Sequence, residues 1–200
     1  MSTGLRQRNR LAAMRLIQET ALDLFDERGF DSVTIEEVAA AAEVSPSTVY
    51  RYFGTKEGLI VSDEFDSLSE EALADLIDLR DIVGTARRIV ASYESSVEST
   101  SATQRSEHGP WRRVRYFFQE PSVRSAIYAS LDRASARIAE NMMTQEALPP
   151  TQARVAAHAI VFGYFAALEQ WHLDGAERPI SEYVDQGLSV LWGPPPPAGE

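Results

Sequence analysis

The stretch from Val33 to Leu59, VTIEEVAAAAEVSPSTVYRYFGTKEGL, constrains the fold of this chain more than any other. It carries start and stop signals for three short helices in close succession. Thr34 is placed to N-cap the first, and Glu37 three residues later completes a capping box. That helix runs from Ile35 to about Ala42, and Glu43, Val44 and Ser45 make the turn after it. Ser45 is the next N-cap, with Pro46 at the first helical position, where a missing N–H costs nothing. Gly54 stops the second helix near Phe53, and Thr55 caps a third with Lys56 in its first turn. Two short helices joined by so tight a turn have helix-turn-helix spacing.

The side chains suit that reading. Ile35, Val38, Ala39, Val44, Val49 and Phe53 fall where they can face a small core. The second helix keeps Ser47, Thr48, Tyr50 and Arg51 for its outer face, hydroxyls, a phenol and a guanidinium that hydrogen-bond phosphates and base edges in a major groove. Lys56 opposes the macrodipole at a helix N-terminus, a placement that makes sense if the ammonium and the free N–H groups address one phosphate. The same spacing also fits a helical hairpin with an ordinary solvated face, and spacing alone leaves both readings open.

The segments GFDSVTIEEVAAAA, the turn EVS, STVYRYF and TKEGL resemble the DNA-binding domain of the TetR/AcrR family of bacterial transcriptional regulators. The resemblance covers roughly the first 60 residues; the remainder resembles the family in length and helical character rather than in motif. It implies that Thr34, Thr48, Tyr50, Tyr52 and Lys56 contact DNA, mostly at phosphates. Ser45, at the head of the same helix, joins the DNA-binding set, and Ser47 and Arg51 are the base-reading candidates. Glu43 departs from the family, which most often has Gly in this turn. A left-handed backbone there costs Glu about 1 kcal/mol more than Gly.

Composition sets the outer bounds. The chain has 200 residues, no Cys and a net charge of −11. Disulfides, thiolate zinc sites and thiol redox sensing are therefore excluded. No apolar run approaches the length of a membrane helix, and MSTGLRQRNRL lacks the apolar core of a signal peptide, so a cytoplasmic protein is expected. Residues 1–56 hold seven basic and eight acidic side chains, whereas residues 57–200 hold 12 and 22. The acidity sits in the second part. Arg6, Arg8, Arg10, Arg15, Arg51 and Lys56 can share one face of the first. An acidic body repels non-specific DNA and makes binding salt-sensitive.

Taken in order, Arg6, Arg8 and Arg10 read as a basic arm able to reach DNA backbone or minor groove. A helix follows to about Arg28 with the stripe Leu11, Met14, Ile17, Ala21, Leu24 and Phe25; Gly29 ends it and Phe30 folds back. From Lys56 a connector helix is expected to run to about Leu79, its cluster Asp63, Glu64, Asp66, Glu70 and Glu71 being a solvated face rather than a metal site. Further helices are expected over 82–98, over WRRVRYFFQ after Pro110, from Pro121 onward, over about 152–173 after Pro149–Pro150, and from Ile180 to Trp192. The Pro-rich end, 193–200, is expected to be a disordered tail. No strand pattern competes.

The expected fold is thus all-α with about nine helices: a helix-turn-helix DNA-binding domain over 1–55 and a larger helical ligand-binding and dimerisation domain over 56–192. The resemblance makes an effector pocket the expectation for the second domain. Tyr93, Trp111, Phe117, Phe118, Tyr128, Met142, Phe162 and Phe165 are its candidate linings, although plain core packing is the commoner explanation for each of them. The arginines at 112, 113 and 115 could meet an anionic ligand head. Helix 152–173 is apolar around most of its circumference, and with the last helix it suggests a self-complementary two-fold interface, as the family forms. His158 and His172 lie about 21 Å apart along one helix, too far to share a metal. No metal and no cofactor beyond an unknown small-molecule effector are expected.

A two-fold dimer would set two recognition helices in successive major grooves of a palindromic operator, and an effector preferring another head spacing would release it. Two other classes compete. An enzyme lacks support, since no nucleophile–base pair, metal-ligand spacing or phosphate-cradling Gly loop is present. A helical ligand-binding or interaction protein without DNA binding has Glu43 and the acidic balance on its side, against the intact set Thr34, Tyr50, Tyr52 and Lys56.

Overall fold

The computed structural model describes residues 3–62, 75, 78, 84, 85, 87, 88, 112–145 and 148–192. Every regular element among them is helical, and the chain is all-α as expected. Eight helices are described: α1 (Thr3–Arg28), α2 (Ile35–Ala41), α3 (Pro46–Phe53), α4 (Gly58–Val61), α5 (Val114–Gln119), α6 (Pro121–Gln145), α7 (Pro150–Leu173) and α8 (Ile180–Trp192). Of the helix expected over 82–98, only residues 84, 85, 87 and 88 are described, and they are helical. The expected tail lies outside the described residues. The chain divides into two compact units, Met1–Asp66 with Tyr116–Ile127 and Ser67–Arg115 with Tyr128–Glu200.

In the first unit, α1 buries Met14, Ile17, Ala21 and Phe25 at the predicted spacing, together with Leu22. Gly29 takes φ +83°, open only to a residue without a Cβ penalty, and its N–H bonds the Phe25 carbonyl at 2.9 Å. The reversal brings the Phe30 ring to 5.0 Å from that of Phe25. The N-terminal arm is a correction: α1 begins at Thr3, so Arg6, Arg8 and Arg10 belong to the helix itself. LRQRNRLAA contains no breaker and is rich in Leu, Arg, Gln and Ala, which favour helix.

The connector helix is a second correction. α4 ends at Val61, and Ser62 is extended at ψ 132°. The reason is tertiary: the Gln18 side-chain amide, from α1, donates to the carbonyls of Leu59 (3.2 Å) and Ser62 (2.9 Å) and satisfies this end of the helix. The expected continuation over 63–74 lies outside the described residues. A third element then joins this core. Tyr116 of α5 is buried against Phe25 (6.0 Å) and Phe30 (6.3 Å), and its hydroxyl donates to the Asp26 carboxylate.

In the second unit, α7 and α8 pack side by side across Gly163, where a Cβ would lie 3.0 Å from Leu188 Cδ2. Pro149 and Pro150 open α7 at its N-cap and first position. Ala153, Ala157, Val161, Phe165, Leu168 and Trp171 of α7 are buried with Ile180, Tyr183, Val184 and Leu188 of α8. No described helix is long and apolar enough to cross a membrane.

Candidate nucleic-acid interface

The α2–turn–α3 segment is assembled from local signals that are all realised. The Thr34 hydroxyl accepts from the Glu37 N–H at 3.2 Å, while the Glu37 carboxylate accepts from the Thr34 N–H and hydroxyl, both at 2.9 Å. Those bonds, the backbone one first, hold the Glu37 carboxyl below its ordinary pKa, with Arg28 at 3.0 Å adding a smaller contribution. Ser45 Oγ accepts from the Thr48 N–H at 3.2 Å and is within hydrogen-bond reach of the hydroxyls of Ser47 (2.8 Å) and Thr48 (2.9 Å). Gly54 at φ +73° ends α3.

The turn itself is a Schellman motif. The Val44 N–H bonds the Ala39 carbonyl at 2.9 Å and the Glu43 N–H bonds that of Ala40 at 3.2 Å. Both bonds need a left-handed residue between helix and loop, and Glu43 supplies it at φ +55°. The substitution Glu43→Gly should therefore stabilise the chain by about 1 kcal/mol, raising the unfolding temperature by about 2–4 °C for a protein of this size. Differential scanning calorimetry checks it; an unchanged or lower midpoint would show that the carboxylate side chain offsets the backbone strain.

The outer face of α3 presents Ser47, Tyr50 and Arg51 to solvent, with Thr48 and Tyr52 half-buried. The Tyr50 hydroxyl donates to Glu36 at 3.3 Å. The charge of Glu36, then burial, then that hydrogen bond raise the phenol's pKa, so it remains a donor. Lys56 is placed differently from expectation. It lies in the turn ahead of α4, not in the first turn, and Thr55 Oγ1 caps the Gly58 N–H at 3.1 Å. Its ammonium donates to the Phe30 carbonyl at 2.9 Å and sits 4.3 Å from the centre of the Phe30 ring. Lys56 thus ties the α1–α2 corner to the α3–α4 turn, a role the spacing did not disclose. Arg10, expected in a basic arm and on one face with Arg51, stands on α1, and its guanidinium and that of Arg51 both lie over the Tyr52 ring, at 5.7 and 5.0 Å.

The expected pocket residues fall in separate places. Tyr128, Phe162 and Phe165 meet in the second unit, with ring centres 6.1 Å (Tyr128–Phe162) and 5.5 Å (Tyr128–Phe165) apart. His158 stacks on Phe162 at 6.0 Å, and Met142 is fully buried. Phe117 and Phe118 belong to the first unit, edge to face at 6.4 Å. Tyr93 and Trp111 lie outside the described residues.

Residues 12–62 match the family described as bacterial regulatory proteins, tetR family. Over 155 residues the chain is 28% identical to the HTH-type transcriptional regulator TcmR of Streptomyces glaucescens, covering 77% of this chain and 63% of that relative. The match therefore spans less than two thirds of that protein's length. A second relative, the HTH-type transcriptional regulator BetI of Cronobacter sakazakii, is 26% identical over 187 residues, covering 88% and 90% of the two chains. Among solved structures, NalD, the secondary repressor of the MexAB-OprM multidrug efflux pump in Pseudomonas aeruginosa, aligns with a TM-score of 0.54 at 19% identity, over 91% of this chain and 96% of that one. The likeness to NalD is one of fold.

Proposed function

We propose that this chain, whose residues 12–62 match the tetR family of bacterial regulatory proteins, is a DNA-binding transcriptional regulator of that family. It acts in the cytoplasm as a repressor, holds a palindromic operator as a homodimer, and leaves it when a small-molecule effector binds the helical second domain. It has no catalytic role. The observation that carries the reading is the interface of α2 and α3. Thr34, Ser45, Ser47, Thr48, Tyr50, Arg51, Tyr52 and Lys56 are the DNA-binding set. Their scaffold is locked by two N-caps and a Schellman turn, and hydroxyl, phenol and ammonium donors line its outer edge.

The dimer rests on α7 and α8. Val155 (65% exposed) and Leu173 (71%) on α7, with Val190 (86%) and Leu191 (48%) on α8, leave apolar side chains in water on a helix pair that already packs well. A second copy of the same pair would cover them. The effector contacts are drawn from the aromatic set Tyr93, Trp111, Phe117, Phe118, Tyr128, Met142, Phe162 and Phe165.

A binding titration against DNA from around its own gene, at two salt concentrations, tests the proposal. Wild type is expected to bind tightly and salt-dependently. Tyr50→Ala and Lys56→Ala should each cost about tenfold, as for one hydrogen bond to a charged phosphate. A folded dimer that selects no sequence from random DNA would end the DNA-binding reading and leave a helical ligand-binding protein.

A further inference from the structure

We infer that Arg10 of α1 and Arg51 of α3 form one phosphate-binding site on the DNA-binding head, with the Tyr52 ring between them as its support. This rests on the DNA-binding reading above and replaces the expected arm contact of Arg10 by one made from helix α1 together with Arg51. It also moves Arg51 from reading a base edge to holding the backbone.

The other described cations of the head are engaged. Arg28 pairs with Glu37 at 3.0 Å, Lys56 is tied to the Phe30 carbonyl, and Arg15 has a partner of its own. Arg10 and Arg51 differ. Both are exposed, and among the described residues neither has a hydrogen bond or an ion pair; each meets only the Tyr52 ring, at 5.7 and 5.0 Å. A ring face attracts a guanidinium but neutralises nothing, so two like charges are held around one side chain with no counter-ion among the described residues. In a head that carries more acids than bases, that is a position built to meet an anion from outside.

The chemistry selects the anion. Contact through an aromatic face leaves the in-plane N–H donors of a guanidinium available. Two such forks from neighbouring helices, both beside one ring, have the chemistry to share the oxygens of a phosphodiester. The Tyr52 hydroxyl, also without a partner among the described residues, adds a third donor. Arg10 is carried by a continuous helix rather than by a mobile arm, so its backbone position is fixed before DNA arrives. The partner is therefore the phosphate backbone of duplex DNA, and the contact carries position rather than sequence information.

The test uses the full chain with its best-binding fragment and with scrambled duplexes, titrated over a range of salt. The variants are Arg10→Ala, Arg51→Ala, the double variant, and Lys56→Ala as the control for DNA binding itself. Arg10→Ala should weaken binding about tenfold on both kinds of DNA. It should also flatten the dependence of log K on log salt by about one per protomer, leaving the unfolding temperature unchanged. The double variant should lose less than the product of the single losses, because both side chains serve one phosphate. If Lys56→Ala weakens binding while Arg10→Ala changes neither affinity nor slope, this site is wrong and the DNA-binding reading stands. Multiplicative losses, or an Arg51→Ala protein that loses sequence preference at an unchanged salt slope, would also overturn it. Absence of DNA binding by wild type removes both.

Discussion

Gly58→Ala should strongly destabilise the head. A Cβ built at Gly58 lies 1.9 Å from the Phe53 carbonyl oxygen and 2.9 Å from its carbon. Neither atom can retreat easily. Gly54, at φ +73°, has just reversed the chain, and the Thr55 N–H already holds that same carbonyl at 2.8 Å. Moving α4 instead would drag Leu59 and Ile60 out of full burial. Overpacking a core by a methyl costs about 1–3 kcal/mol when side chains yield, and more when backbone meets backbone. About 3 kcal/mol or more is expected here, lowering the unfolding midpoint by about 6–12 °C for a chain of this size. Gly29→Ala is the internal comparison. Its Cβ meets open space, so only the positive-φ helix cap is strained, at about 1 kcal/mol. Denaturant or thermal unfolding of both variants separates the two mechanisms. Equal losses would mean that α4 can step away from α3.

That contrast marks where sequence reasoning stops. Gly54, Gly29, Ser45–Pro46 and the Thr34–Glu37 box were legible because each acts on the backbone within a turn of itself, and the chemistry is complete in four or five residues. The left-handed Glu43 was legible for the same reason. Gly58 sits in the same motif, but its necessity comes from a carbonyl at the end of another helix, and TKEGL alone gives no sign of it. Lys56 follows the same rule: its place near a helix start is local, its bond to the Phe30 carbonyl is not. Likewise α4 stops at Val61 because Gln18 arrives from α1, whereas the composition of 63–79 favoured continuing. Tyr116 is the sharpest case. In WRRVRYFFQ it looks like one aromatic among several, and only the fold brings it to Phe25, Phe30 and Asp26. The candidate pocket suffers most from this limit, since aromatic residues at helical spacing look the same whether they line a cavity or fill a core. Tyr128, Phe162 and Phe165 do converge; periodicity could not have separated them from Phe117.

The second large effect lies at the other end of the chain, where Trp171→Ala should cost about 3–5 kcal/mol. Trp171 is 2% exposed and closes the α7–α8 corner. Its indole N–H donates to the Arg178 carbonyl at 2.9 Å, and its own carbonyl accepts the Ala176 N–H at 3.0 Å, the long bond of a second Schellman motif. Two left-handed residues in succession, Gly175 at φ +68° and the buried Ala176 at φ +57°, make that corner possible. Ala176 is strained, so something must hold it. The Tyr183 hydroxyl donating to Asp174 at 3.0 Å and the Arg178 guanidinium over the Tyr183 ring at 4.6 Å brace the outside, while the indole braces the inside. Truncation removes both the buried ring and the donor for the Arg178 carbonyl. Trp171→Phe separates these contributions: it keeps most of the apolar bulk and should cost only about 1–3 kcal/mol for the orphaned carbonyl. Because α7 and α8 are also the proposed dimer surface, the loss should appear twice, as a lower unfolding midpoint and as dissociation at protein concentrations where wild type remains a dimer. Sedimentation velocity reads the second. A Trp171→Ala chain that is destabilised yet fully dimeric would place the self-association surface away from this corner.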